Sequence, residues 1–316
     1  MIHLLSQVFD TQFLASAVRM TTPILLAAMG GLLCSLSGTL NVALEGLMLM
    51  GAFGAVAGSF YTGSWLAGVG LAVLLGTLTS VLLSVTIIKY KANELVVGLA
   101  VNLAALGATT FMMRTLWQVK GSFIDPRIAP LPSWRLPLIH HAPVLGKVLS
   151  GHTPVVYASW AVVLIINYVI YHTAFGLRLR ATGENARAAE TLGVRTKKLQ
   201  YVAFILSGAL SGLAGAQLSL GLVTLFLINM TAGRGFVAMV AVILGQRLVA
   251  GVAGASLLFG LAEGLTMRLQ GLRIPPQFVL MLPYLITIIT MVLLRPRHPR
   301  PVLPEEARKA ALEETP

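Results

Sequence analysis

The chain has 316 residues, 56% of them hydrophobic and 11% charged, with a mean hydropathy of +0.83. Apolar runs of about 20 residues exceed what a water-soluble core needs, and the formal charge of +12 is scattered over the segments between those runs, which excludes a basic nucleic-acid-binding arm. Cys34 is the only cysteine, so an intrachain disulfide and a multi-cysteine metal centre are excluded as well.

The first residues, "MIHLLSQVFDTQFLASAVRM", lack the charged start, short apolar core and small-residue cleavage site of a secretory signal, and are expected in the mature protein. Runs long enough to cross a bilayer as helices lie near 12–36, 41–62, 65–88, 92–116, 154–173, 199–226 and 276–294. Two further runs, 231–246 and 248–269, abut at Gln246 and Arg247, and the first is short for a full span, which leaves room for a broken or re-entrant element. The expectation is an all-α, polytopic membrane helix bundle of about eight to ten segments within 1–294, followed by a Pro-rich, charged and disordered cytoplasmic tail at 295–316.

The segment 117–153 has five prolines and two tryptophans and reads as an external loop. Its adjacent His140 and His141 lack the spacing and neighbours of a metal site, so no metal or other cofactor is expected. Placing 89–94, the 174–200 segment, Arg247 and the tail on the cytoplasmic side puts 14 of the 23 basic residues there, as the positive-inside rule asks. Small residues recur every fourth position at Gly68, Ala72, Gly76, Ser80 and Ser84, and again at Ser207, Ser211, Gly215 and Ser219. Such ridges suit close packing inside the bundle.

The cytoplasmic stretch "GENARAAETLGVRTKKLQ", 183–200, concentrates charge between two apolar runs. Asn185 is a good N-cap, "ARAAETL" is helix-forming, and Gly193 suits a left-handed residue just past the helix end. So short a helix needs a surface to dock against, and Ala186, Ala189 and Gly193 would share one face of it. On the residues alone, a solvated positive-inside loop is an equal reading.

The run "GENARAAETLGVRTKKLQYVAFILSGALSGLAGA" resembles the cytoplasmic coupling segment of ATP-binding-cassette importer permeases that serve simple sugars, nucleosides and branched-chain amino acids. The stretches "GTLNVALEGLMLMGAF", "NELVVGLAVNLAALG" and "GRGFVAMVAVILG" resemble the same family, and "LNVALEG" most resembles its nucleoside branch. After "ILG" this chain departs from the pattern with "QRLVAG". The resemblance implies an inner-membrane conduit that works with ABC ATPase subunits, a second and different permease chain, and an external solute-binding protein. It also implies that Gly183, Glu184, Asn185, Ala186, Arg187, Ala189, Glu190 and Gly193 couple to the ATPase.

Ionisable groups within the hydrocarbon are costly and point to function. Glu45, Glu94 and Glu263 fall in apolar runs, accompanied by Asn41, Asn102 and Asn229. Asn41 and Glu45, four apart, are expected on one helix face, and Asn41, Glu45, Asn102 and Glu263 are the candidates for the translocation path. Bracing and capping of helices is the competing reading, slightly ahead for Glu94 and Glu263. No "GxxxxGK[ST]" occurs, so this chain has no such nucleotide site and is not expected to be an enzyme; energy comes from partner subunits or, alternatively, from an ion gradient carried by the intramembrane carboxylates.

Overall fold

A backbone without water must satisfy its own N–H and C=O groups, and the long apolar runs accordingly form helices. The computed structural model describes residues 11–134 and 150–269. In chain order these are α1 (Thr11–Leu36), α2 (Leu44–Thr62), α3 (Trp65–Ser84), α4 (Glu94–Trp117), β1 (Ser122–Phe123), α5 (Pro154–His172), α6 (Ala174–Glu184), α7 (Ala186–Thr191), α8 (Thr196–Ala216), β2 (Phe226–Leu227), α9 (Arg234–Leu244) and α10 (Val249–Leu269). Wider π turns extend α3 through Val85–Lys89 and α8 through Gln217–Leu222.

Seven of these helices are long and apolar enough to cross a membrane, among the described residues. The expected count of eight to ten segments is not reached there: α9 is only 11 residues, about 16 Å of rise against a hydrocarbon thickness of about 30 Å. The 231–246 run is therefore a half-length helix. Its end is set by Gln246 and Arg247, both in the left-handed region at φ 51° and 61°. The run at 276–294, His140, His141 and the tail at 295–316 lie outside the described residues.

α1, α2 and α8 form the centre, with α3 packed on α2 and α8, and α10 on α1. The small-residue ridges serve this packing. A Cβ on Gly51 would stand 2.5 Å from Gly212 Cα, so the backbones of α2 and α8 meet at a distance only glycine permits. Ser80 Oγ adds a hydrogen bond to the Phe204 carbonyl at 2.5 Å, tying α3 to α8. By contrast, α4 turns Leu103 and Phe111 outward, as a lipid-facing helix would.

Helices dominate as expected, with one departure after α4. There β1 pairs antiparallel with β2, Ser122 opposite Leu227 and Phe123 opposite Phe226. Trp117 stacks on Phe123 at 4.0 Å, and the Arg127 guanidinium lies 4.0 Å over the Phe60 ring while bonding Asp125 at 3.0 Å. That hydrogen bond holds the half-buried Asp125 carboxyl below the usual carboxylate range. The ribbon marks one end of the bundle; α6 and α7 mark the other.

Candidate functional site

Between α1 and α2 the chain breaks its helix from Ser37 to Ala43, and the break is built from side chains returning to the backbone. Ser37 Oγ donates to the Cys34 carbonyl at 2.7 Å, and Gly38 turns the chain at φ 80°. Leu40 N–H donates to Glu94 Oε2 at 2.6 Å from the start of α4. Asn41, 2% exposed, donates from Nδ2 to Ser207 Oγ at 2.9 Å and accepts the Ala43 N–H at 3.0 Å. Asn41 thus precedes α2 instead of sharing a helix face with Glu45, because its carboxamide satisfies backbone groups at the start of the helix.

Glu45, 7% exposed, accepts the N–H of Gly233 at 2.8 Å on one oxygen and the N–H of Gly235 at 2.7 Å on the other. These N–H groups belong to the first turn of α9, so the carboxylate sits at the positive end of a half-length helix and satisfies donors that have no intrahelical partner. Gly235 is necessary for the approach, since any Cβ there would collide with the Glu45 backbone. From the other side Asn102 accepts the Gly46 N–H at 2.7 Å and donates to the Val42 carbonyl at 3.0 Å. Asn41, Glu45 and Asn102 therefore converge on one knot where α2, α4, α8 and α9 meet, each with its polar atoms already engaged.

Glu263 lies apart from that knot. It pairs with Arg234, the first residue of α9, at 3.2 Å, and Arg234 also reaches the carbonyls of Met230 and Thr231. Asn229 is exposed and sits in the left-handed region at φ 56°, a turn conformation that asparagine tolerates.

At the opposite end from the ribbon, the coupling stretch folds by local rules. Asn185 Oδ1 accepts the Ala188 N–H at 3.1 Å and starts α7. Gly193, at φ 79°, closes it: its N–H bonds the Glu190 carbonyl at 2.9 Å and the Val194 N–H bonds the Ala189 carbonyl at 3.0 Å. This is the paired closure of a helix ended by a left-handed glycine. The Glu190 carboxylate also bonds Thr196 Oγ1 at the start of α8. The three small residues differ in exposure: Ala186 is half-buried and Gly193 is exposed. Ala189 is 4% exposed, turned onto this chain's own helices, while Leu192 is 84% exposed and Glu184, Arg187 and Ala188 stand beside it in the open. Gly183 packs against the Leu36 carbonyl and lies beside Gly38, and Gln200 Nε2 reaches the Ser37 carbonyl at 3.4 Å. The coupling stretch is thereby seated directly on the α1–α2 break.

Residues 13–291 match the family described as the permease component of the branched-chain amino acid transport system. NupC, a nucleoside ABC transporter permease protein of Lactococcus lactis, is 33% identical over 88% of this chain and 90% of its own length. NupQ, a guanosine ABC transporter permease protein of Bacillus subtilis, is 32% identical over 85% and 87%. TsgC13 of Haloferax volcanii, which carries the name of a glucose ABC transporter permease, is 30% identical over 84% and 80%. The chain belongs to this family of ABC transporter permeases.

In the permease, the sequence reading found the polar residues of the interior but missed two of their partners. Ser207 was visible only as one member of a small-residue ridge. Arg234 is a charge in an apolar run, bracketed by Gly233 and Gly235 in "GRGF", and that signal alone could have singled it out.

Proposed function

We propose that this permease conducts an uncharged polar solute inward, a nucleoside before a simple sugar, driven by ATP hydrolysis in partner subunits. The observation that carries the coupling is α7: a six-residue helix, capped by Asn185 and ended by Gly193, that holds its shape while presenting Leu192 and Arg187 outward. Gly183, Glu184, Asn185, Ala186, Arg187, Ala189, Glu190 and Gly193 form the ATPase coupling element, with Ala189 packed beneath it, Glu190 tying it to Thr196, and Arg187 and Glu184 facing the ATPase. The nucleoside assignment is supported by the names of the relatives at 33% and 32% identity. A second, different permease chain completes the conduit, and an external solute-binding protein delivers to it.

Asn41, Glu45 and Asn102 brace the path by holding α9 and the start of α2 in place. A gradient-driven mechanism fits less well, because Glu45 and Glu263 each have a fixed structural partner and α7 would serve no purpose. The test is uptake of labelled guanosine into vesicles carrying the whole complex. ATP should drive it with an uncoupler present. Uptake that collapses with the uncoupler while ATP is abundant would overturn the assignment.

A further inference from the structure

A second site borders the Glu45 knot across Arg234, the residue between Gly233 and Gly235. The first third of α1, the π turn that ends α8, the segment leading into α9 and the far end of α10 enclose a cavity of about 350 Å³, bounded by Arg19, Met20, Gly221, Met230, Arg234 and Met267. That size lies within the range of about 300–1,000 Å³ typical of small-molecule pockets. Arg19 is exposed on a membrane-spanning helix, where its one hydrogen bond among the described residues is a long one to Ser16 Oγ, 3.5 Å. A guanidinium so placed is costly against lipid, and the cavity gives it a polar alternative.

The wall is mostly apolar, with the guanidiniums of Arg19 and Arg234 set into it. Arg234 uses Nε for Glu263 and Nη1 for two carbonyls, and its Nη2 has no partner among the described residues. Behind Gly221, where a Cβ would meet the Gln217 carboxamide, the fully buried Gln217 accepts from Thr153 Oγ1 at 2.7 Å, while its Nε2 lacks an acceptor among the described residues. Around the cavity the backbone is unusual. Gln217–Leu222 is a π turn, a feature frequent at functional sites, and Thr224 and Ala232 hold left-handed conformations that non-glycine residues rarely adopt.

We propose that this cavity holds the solute during passage, and that it selects an uncharged heteroaromatic ring whose edge carries adjacent acceptors. The proposal rests on the nucleoside reading above and extends it to a site. Glu263 offsets the charge of Arg234, which leaves the Arg19 guanidinium as the fork that meets the ring edge. A guanidinium fork matches the paired O6 and N7 acceptors of an oxopurine, whereas the amino group of adenine replaces one of those acceptors with a donor. The sulfurs of Met20, Met230 and Met267 are suited to the flat face and edge of such a ring.

The only native cysteine, Cys34, is buried, so a cysteine placed at Met267 can be labelled in the complete complex with little background. In Met267→Cys, guanosine should slow alkylation several-fold, and adenosine should do so far less. Adding Arg19→Gln should weaken the guanosine protection by about 10-fold in concentration, the scale of one lost bidentate pair. Met230→Cys provides the same measurement if Met267→Cys assembles poorly. Guanosine that is imported by the complex yet leaves labelling unchanged overturns the cavity assignment alone, as does protection that is indifferent to Arg19→Gln. A complex that imports no nucleoside overturns it together with the reading beneath it.

Discussion

Glu45 and Glu263 both lie in the apolar interior, and the difference between their partners separates two kinds of polar site. Glu45 gives both oxygens to backbone N–H groups at the start of α9, whereas Glu263 gives one oxygen to the Arg234 guanidinium. The first arrangement fixes a half-length helix in place, with each carboxylate oxygen holding a backbone N–H. The second is partly open, and its guanidinium borders a cavity. A charge inside a membrane protein is therefore informative only once its partners are counted: Glu45 holds the backbone at the start of a helix, and the more open pair borders a cavity.

The sharpest way to break the comparison is at Glu45. Replacing it with leucine strands two buried N–H groups, each at a cost of about 1–3 kcal/mol, so complex yield and uptake should fall to background. Glu45→Gln keeps one acceptor but turns an amide NH2 toward the other N–H, and should fall between leucine and wild type. A residue that served only to hydrogen-bond a neutral solute would instead leave the glutamine variant near wild type. Purified complex yield, measured beside uptake, separates these outcomes.

A smaller effect is expected at the ion pair. Arg234→Met or Glu263→Met alone leaves an unpaired charge, an effect that reaches about 3–5 kcal/mol for fully buried pairs and should be less here because both side chains are partly open. The double variant Arg234→Met/Glu263→Met should regain assembly while uptake stays impaired. Recovery of uptake as well would make the pair structural, like Glu45. Smaller again is Gly193→Val, which forces a β-branched residue into the left-handed region at about 1–2 kcal/mol and should reduce ATPase association several-fold without changing membrane insertion. Co-purification of the ATPase with the variant measures it.

What could be read from the sequence follows the range of the interactions. The seven long helices lie within a few residues of the apolar runs, because run length in lipid leaves little choice but a helix. α7 was legible down to its caps, since Asn185 and Gly193 act on backbone groups three to five positions away. The knot was not. Asn41 was placed inside the helix because hydropathy cannot show that its carboxamide caps Ala43, and the partner of Glu45 lies 188 positions along the chain. The spacing of Ala186, Ala189 and Gly193 marks a side suited to close packing, and the fold adds that Ala189 packs on this chain's own helices while Gly193 stays exposed.

The claim that energy enters through α7 is tested most directly by crosslinking in the assembled complex. A cysteine at Leu192, the exposed residue at the end of α7, should crosslink rapidly to the ATPase subunit and should be labelled only from the cytoplasmic side. A cysteine at Ala189, buried two residues inside the same helix end, should do neither at a comparable rate. Crosslinking at both positions to the same extent, or labelling of Leu192→Cys from outside the cell, would contradict the account.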